Sequence, residues 1–231
     1  MQAVILAAGK GARLRPLTEK IPKAMVSVNG TPLLELIMRR LVEANVADIT
    51  VVVGYLKEKI IDYFGNGSKF DVSINYAVQK DALGDGDALL YAEPFITENK
   101  FLVLACDKLI PENYLKNFVD DSYDGVMSVR EVQDARMFGA ILYEGQLVKK
   151  IVEKSSDPPS NLANASVWYM PKEVFSELRK LKKDSTGEFR LVYAVQSLID
   201  NGKRFKYEVN NDIFDISKKE DLNKAQFLAE K

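Results

Sequence analysis

Residues 1–25 read MQAVILAAGKGARLRPLTEKIPKAM, the most informative segment of the chain. A short apolar strand runs into a glycine-rich turn that carries Gly9 and Gly11. Glycine lets backbone N–H groups approach a phosphate closely, and Arg13 and Lys23 add fixed positive charge around it. The pattern therefore predicts a loop that holds the phosphates of a nucleoside triphosphate.

Two other interpretations of this turn are weaker. A dinucleotide-binding loop has the pattern G-x-G-x-x-G and opens directly into a helix. Here Leu14 stands at the third glycine position. Pro16 and Pro22 also prevent an uninterrupted helix, because proline lacks the N–H and clashes with the preceding turn. A purely structural glycine turn does not require the cations that follow it.

Composition excludes several classes of protein. The chain has 231 residues, with 32 Lys and Arg against 33 Asp and Glu, so no basic field favours nucleic acid. No apolar run is long enough for a membrane span, and we expect a cytoplasmic protein without a signal peptide. The single cysteine, Cys106, fits a reducing compartment. The absence of histidine excludes Ser-His-Asp, Cys-His and histidine-zinc chemistry.

Short β-branched runs alternate with helix-period segments along the first half of the chain. Predicted strands are Ala3–Ala7, Ile49–Val53, Val72–Val78, Phe101–Cys106 and Gly125–Val129. Predicted helices are Pro32–Asn45, Lys57–Phe64, Asp85–Ala92 and Pro111–Asp120. Thr31 is expected to cap the first of these helices. The alternation predicts an α/β fold with a mainly parallel sheet covered on both faces.

The order of the predicted elements changes in the second half of the chain. Predicted strands are Phe138–Tyr143, Leu147–Glu153 and Ala165–Met170, the first two joined at Glu144-Gly145. Predicted helices are Pro171–Leu181, Glu188–Asn201 and Ser217–Glu230. No linker separates the halves, so residues 1–231 are predicted to form a single domain.

Five motifs occur in a fixed order: AVILAAGKGARLRPLT with PKAM, YAVQ with LGDGDAL, LACDKL, IVEKS and FDISKKEDL. Over essentially its whole length the chain resembles the sugar-1-phosphate nucleotidyltransferases, closest in pattern to glucose-1-phosphate thymidylyltransferases or uridylyltransferases. The resemblance implies a three-layer α/β/α, Rossmann-like nucleotide-diphospho-sugar transferase fold with a mixed central sheet. Residues of about 1–130 would bind the nucleotide and those of about 131–231 the sugar phosphate. The C-terminal β-helix domain of many relatives is not expected.

The resemblance also assigns roles to residues. Arg13, Lys23 and Asp107 would be catalytic, with the two cations on the triphosphate. Nucleotide-binding positions would be Leu6, Ala8, Gly9, Gly11, Gln79 and Gly84. Positions for the sugar phosphate would be Gly139, Glu153, Lys154 and Asn164.

Mg²⁺ is the expected cofactor, held by Asp107 and Asp215. Asp107 directly follows an apolar strand, and ligands bind at the carboxyl ends of strands in open α/β sheets. Paired carboxylates suit Mg²⁺, which also holds waters and substrate phosphates. A turn former or helix cap is the structural alternative for a strand-end aspartate.

The implied reaction joins a nucleoside triphosphate and a sugar-1-phosphate and releases pyrophosphate. The Gln79 amide offers both a donor and an acceptor, which favours UTP or dTTP, and glucose-1-phosphate is the default sugar. GTP, CTP or ATP with another sugar or polyol phosphate stays open. So does a non-catalytic nucleotide- or phosphosugar-binding regulator. A homo-oligomer is compatible with the sequence, whereas nucleic-acid and membrane partners are not expected.

Several positions depart from the family pattern. Asp85 stands where a small or hydroxyl residue is usual, and it is expected either to repel phosphate or to recruit a cation. Cys106 and Lys108 flank Asp107 in place of a glycine and a polar amide. Ser166 replaces a glycine beneath the sugar, and Ile213 replaces a tryptophan. The expected phosphate and metal residues are all present, so an active enzyme is expected, and the departures bear on substrate identity.

Overall fold

A mixed β-sheet forms the centre of the protein, whose computed structural model describes residues 1–228. The strands are β1 (Gln2–Ala7), β2 (Ser27–Val28), β3 (Thr31–Pro32), β4 (Asp48–Val53), β5 (Ser73–Val78), β6 (Lys100–Ala105), β7 (Lys108–Leu109), β8 (Gly125–Glu131), β9 (Gly139–Glu144), β10 (Leu147–Glu153), β11 (Leu162–Pro171), β12 (Phe205–Val209) and β13 (Phe214–Asp215). The helices are α1 (Leu33–Glu43), α2 (Lys57–Phe64), α3 (Asp85–Leu90), α4 (Tyr114–Phe118), α5 (Val174–Leu178), α6 (Leu191–Asp200) and α7 (Lys219–Leu228).

The main sheet has the strand order β5-β4-β1-β6-β11-β8-β12-β10-β9, and β9 also pairs with β11. Strands β10 and β11 run opposite to the other strands of this sheet. The expectation of a mainly parallel, mixed sheet is therefore confirmed. Because β1, β5 and β6 are parallel, their carboxyl ends meet at one edge of the sheet, where their following loops converge.

Helices cover both faces of the sheet. On one face, a buried cluster joins Ile5 of β1 to Leu34 of α1 and Leu115 of α4. On the other face, a second cluster joins Val4 of β1 to Leu89 of α3, and it also includes side chains of α5 and α6. Successive residues of a strand point to opposite faces, so β1 contributes to both cores. The expected three-layer α/β/α architecture is confirmed.

A third, smaller core fixes the glycine-rich loop in place. It joins buried Leu14 and Val26 of the N-terminal segment to Ile216 and to Leu222 of α7. Full burial of a leucine or valine side chain is worth about 1.5–3 kcal/mol, so these contacts hold the two segments together. The loop that follows β1 and the segment that contains Asp215 therefore form one structural unit.

The start of α1 differs from the prediction. The helix begins at Leu33, no side chain caps it, and Thr31–Pro32 instead form a strand paired with Ser27–Val28. The cause is the turn between these strands, in which Asn29 and Gly30 both have positive φ, 49° and 82°. Asn-Gly favours such a two-residue hairpin. The prediction that Thr31 caps a helix is therefore wrong.

Other boundaries shift for similar local reasons. Pro171 pairs with Lys100 as the last residue of β11, so α5 starts later than predicted. α4 begins after Asn113, whose φ is 58°. The predicted end of the last helix, Glu230, lies outside the described residues. Within residues 1–228, no helix combines the length and apolar character needed to cross a membrane.

Candidate active site

A cleft lies at the carboxyl edge of the parallel strands. It consists of two adjoining cavities of about 450 Å³ and about 460 Å³, within the range of roughly 300–1,000 Å³ typical of ligand sites. The first cavity lies beside the glycine-rich loop and the second beside β9, β10 and β11. Both are lined by Arg13, Asp85, Asp107, Ser166 and Ser217. A ligand that spans the two cavities would therefore pass the central acids.

The two glycines of the loop have different roles. Gly11 has a φ of 61°, and a Cβ there would lie 3.0 Å from the Cβ of Lys23. Its carbonyl accepts a hydrogen bond of 2.8 Å from the Thr18 hydroxyl. A Cβ on Gly9, by contrast, would meet nothing within 4 Å. The backbone therefore requires glycine at position 11, whereas Gly9 leaves open space at the cleft.

The structure places the predicted nucleotide-binding residues together. Leu6, Ala8, Gly9, Gly11, Gln79 and Gly84 line the first cavity, as do Arg13, Lys23 and Asp107. Gln79 is nearly buried, and its Nε2 donates to Asp87 Oδ2 at 2.8 Å and to Gly84 O at 3.2 Å. Because a carboxylate and a carbonyl only accept, these bonds fix which end of the amide is Nε2. The Gln79 Oε1 atom is then the end available to a base.

Asp85 connects two helix starts. Its Oδ1 accepts the N–H of Leu191, the first residue of α6, at 2.9 Å. Next to it, the Gly86 N–H donates to Phe189 O at 2.9 Å. Desolvation by the surrounding protein raises the pKa of the Asp85 carboxyl group. The residue is nevertheless exposed to solvent in the cleft. The structure thus gives Asp85 a backbone partner that neither sequence expectation included.

Backbone pairing brings the two predicted metal ligands together. In the short β7–β13 pair, Lys108 lies opposite Asp215, and the Ile216 N–H donates to Asp107 O at 2.9 Å. The Lys108 ammonium contacts both carboxylates, Asp215 Oδ1 closely and Asp107 Oδ1 at 3.4 Å. Each acid has a second cation, with Lys23 at 2.5 Å from Asp107 Oδ2 and Arg130 at 2.5 Å from Asp215 Oδ2.

These ion pairs determine the charge states at the centre of the cleft. Burial alone would raise the pKa of Asp107, but Lys108 and Lys23 outweigh it and hold this pKa well below its usual range. Burial alone would lower the pKa of Lys108, and the carboxylates of Asp107 and Asp215 outweigh that effect and raise it. Asp107 is therefore ionised and Lys108 is protonated at neutral pH.

The acids fit a divalent cation that brings other ligands with it. Among the described residues, no three acidic or cysteine side chains form a metal-binding group. Asp107 Oδ1, however, is buried and accepts no hydrogen bond from them. Mg²⁺ commonly uses one or two carboxylates and completes its shell with waters and substrate phosphates. The donor set suits that arrangement once the Lys108 ammonium is displaced.

The second cavity contains most of the residues expected to contact sugar. Gly139, Glu153 and Asn164 line it, together with Arg190. A Cβ on Gly139 would lie 2.7 Å from Glu153 Oε2, so glycine makes room for this carboxylate. Burial raises the pKa of Glu153, and the nearby Arg190 guanidinium, 4.0 Å away, opposes the rise. Lys154 is exposed directly after Glu153, outside the set of described residues that line the cavity.

Three cations that line this cavity were given no role in the site by the sequence analysis: Lys108, Arg130 and Arg190. Arg190 stands just before α6, where the Asp184 carboxylate holds its Nε and Glu188 lies 3.1 Å from its Nη2. Its position near the start of a predicted helix was the feature of the sequence that could have indicated a role in the site. Arg130 is at the end of β8 with no motif around it, so only the fold reveals it.

A model of the Nucleotidyl transferase family matches residues 2–231. The chain belongs to this family. It is 34% identical over 233 residues to the UTP–glucose-1-phosphate uridylyltransferase AglF of Haloferax volcanii, covering 98% of this chain and 95% of AglF. The family expected from the motifs is confirmed.

Other family members extend the comparison. The bifunctional protein GlmU of Methanocaldococcus jannaschii is 36% identical over 233 residues, a match that covers 100% of this chain and 55% of GlmU. The chain thus spans about half the length of the curated GlmU relatives it matches. A solved UDP-glucose pyrophosphorylase complexed with UDP-glucose superposes with a TM-score of 0.89 at 25% identity, covering 99% of this chain and 98% of that one.

Proposed function

We propose that the protein is a sugar-1-phosphate nucleotidyltransferase, which joins a nucleoside triphosphate to a sugar-1-phosphate and releases pyrophosphate. One observation carries the proposal: a single cleft has the glycine-rich loop at one end, the Glu153 carboxylate at the other, and Asp107 between them. Two similar proteins, the uridylyltransferase AglF and the UDP-glucose pyrophosphorylase, are named for this type of reaction, which supports the proposal.

The reaction exchanges one phosphoanhydride for another. A phosphate oxygen of the sugar phosphate attacks the α-phosphorus and forms a new P–O bond. The bond from the α-phosphorus to the bridging oxygen breaks, and pyrophosphate leaves with that electron pair. The second pKa of a phosphate monoester is about 6, so the nucleophile is already mostly dianionic near neutral pH. No side chain has to remove a proton, which suits a chain without histidine.

The protein supplies position and charge. Arg13 and Lys23 contact the triphosphate and stabilise the negative charge that builds up on the departing pyrophosphate. Asp107 and Asp215 would hold Mg²⁺, which when bound reduces the repulsion between the two anionic substrates. Lys154, exposed directly after Glu153, is the proposed contact of the sugar phosphate group, and Arg190, which lines the second cavity, adds a second positive charge.

Base and sugar recognition follow from two side chains. The Gln79 Oε1 atom can accept the N3–H of uracil or thymine, whereas the N3 of cytosine is an acceptor and would oppose it. This favours UTP or dTTP. The Glu153 carboxylate accepts hydrogen bonds from sugar hydroxyls, with the backbone of Gly139 and the side chain of Asn164 beside it. Glucose-1-phosphate is the proposed default substrate.

The alternative is a regulator that binds the same ligands without turnover. Asp107→Asn separates the two functions, because it keeps the shape of the side chain and removes its charge. For an enzyme, pyrophosphate release should fall at least 100-fold while UTP affinity, measured by calorimetry, falls much less. Lys23→Ala should also lower pyrophosphate release, because it removes a proposed contact of the triphosphate. Lys20→Ala is its matched control, since Lys20 is exposed three residues earlier on the same loop. Equal turnover of Asp107→Asn and wild type would contradict the proposed role of Asp107.

A further inference from the structure

An ammonium group stands between the two acids that would hold a divalent cation. The Lys108 side chain is only 8% exposed, and the pairing of β7 with β13 places it opposite Asp215. It contacts Asp215 Oδ1 and lies 3.4 Å from Asp107 Oδ1, the buried oxygen that accepts no hydrogen bond from the described residues. The same ammonium thus lies within ion-pair distance of both carboxylates.

The charges around these acids oppose the entry of a second cation. Lys23, Lys108 and Arg130 together carry three positive charges, against two negative charges on Asp107 and Asp215. A divalent ion beside Lys108 would experience strong repulsion, because like charges a few ångströms apart in a poorly solvated site are costly. The ammonium therefore has to leave before the ion can use both carboxylates.

Departure of Lys108 would not leave either carboxylate unpaired. Asp107 keeps Lys23 on its other oxygen, and Asp215 keeps Arg130 on its other oxygen. Lysine also has a long flexible stem, which lets its ammonium move by several ångströms without a change of backbone. A phosphate group in the adjoining cavity would give the displaced ammonium a new partner, because Lys108 lines that cavity.

We infer that Lys108 is an internal competitor of the divalent cation: its ammonium occupies the shared position between Asp107 and Asp215 and is displaced when the metal binds. This inference rests on the proposed function, since it assumes that the two acids hold the metal. Metal binding is consequently weak in the ligand-free protein. It becomes favourable when substrate phosphates pair with the Lys108 ammonium in place of the two carboxylates. The position at which the family pattern has an uncharged amide thus sets the metal affinity of this chain.

The test is the affinity for Mn²⁺ without substrates, measured by electron paramagnetic resonance as the loss of the free-ion signal. Lys108→Asn and Lys108→Met should bind Mn²⁺ at least tenfold more tightly than wild type, and Lys108→Arg should not. Lys206→Asn is the matched control, because it also removes an ion-paired lysine, one that pairs with Asp120 and Glu208. Adding Asp215→Asn to Lys108→Asn should abolish the gain.

Unchanged Mn²⁺ affinity in folded Lys108→Asn and Lys108→Met would overturn the inference, as would an equal gain in Lys206→Asn. Nuclear magnetic resonance of wild-type protein with ¹⁵N-labelled lysine gives a second readout, in which the charge of Lys108 is retained. Saturating Mg²⁺ should shift the ammonium resonance that Lys108→Arg removes, and an unshifted resonance would also overturn the inference. Absence of pyrophosphate release by wild type would instead refute the proposed function, so the two failures are distinguishable.

Discussion

Substitution of Asp85 separates a structural role from a ligand-binding role at the cleft. Asp85→Ala removes the carboxylate that accepts the Leu191 N–H at 2.9 Å, and with it the acceptor at the start of α6. Loss of such an acceptor at a helix start costs about 0.5–2 kcal/mol. α6 also contributes the buried residues Val195 and Leu198 to one core of the sheet, so loosening of its first turn affects packing. We expect a loss of about 1–2 kcal/mol in the free energy of unfolding.

Thermal unfolding followed by circular dichroism measures this loss. For a chain of this length, 1 kcal/mol shifts the midpoint by about 2–4 °C, so Asp85→Ala should unfold roughly 2–8 °C below wild type. Asp85→Asn keeps an acceptor oxygen and should recover most of the difference. Asp200→Ala is the matched control, because it removes an exposed acid from the other end of α6 and should shift the midpoint little. An unchanged midpoint for Asp85→Ala, with altered UTP affinity, would contradict the structural role of Asp85 and indicate that it contacts the ligand.

Three further predictions concern backbone conformation and charge. Gly9→Ala should leave the unfolding midpoint unchanged, because the added Cβ meets nothing within 4 Å, yet it should lower UTP affinity at least tenfold by calorimetry. Gly84→Ala should instead lower the midpoint, because its Cβ would lie 2.5 Å from Phe189 O. Ser166→Gly should increase the free energy of urea unfolding by roughly 0.5–1 kcal/mol, since Ser166 has a φ of 56° that costs more for serine than for glycine. The lowered pKa of Asp107 predicts that the stability due to its ion pairs is complete above the unfolded pKa of about 4 and is lost as pH falls towards the folded value. Asp107→Asn should therefore lose less stability than wild type between about pH 5 and pH 2. Identical acid unfolding of the two proteins would contradict the last prediction, and equal UTP affinity of Gly9→Ala and wild type would contradict the first.

The sheet and the glycine-rich loop could be predicted because their signals are local. Apolar runs such as that of β6 identify buried strands, and prolines such as Pro16 rule out a continuous helix after the loop. The acid after β6 could be assigned to the cleft because parallel strands end at a common edge. These inferences require only neighbouring residues and general rules of sheet topology.

The remaining features depend on contacts between distant segments. Lys108 meets Asp215 through a two-residue strand pair that no sequence periodicity indicates. Asp85 receives its partner from the start of α6, far along the chain. The irregular register of β11 against β8, between Asn164 and Trp168, leaves Ser166 with positive φ, which accounts for the glycine usual at this position. Each of these features exists only in the assembled fold.

Substrate-dependent release of pyrophosphate would show directly whether this cleft catalyses nucleotidyl transfer. Purified protein would be incubated with Mg²⁺ and each of UTP, dTTP, CTP, GTP and ATP, in combination with a panel of sugar-1-phosphates, and the nucleotide sugar would be identified by mass spectrometry. We expect release that requires both substrates, is fastest with UTP or dTTP, and stops when EDTA removes the metal. No release from any pair, despite measurable binding of UTP, would contradict catalysis in this cleft.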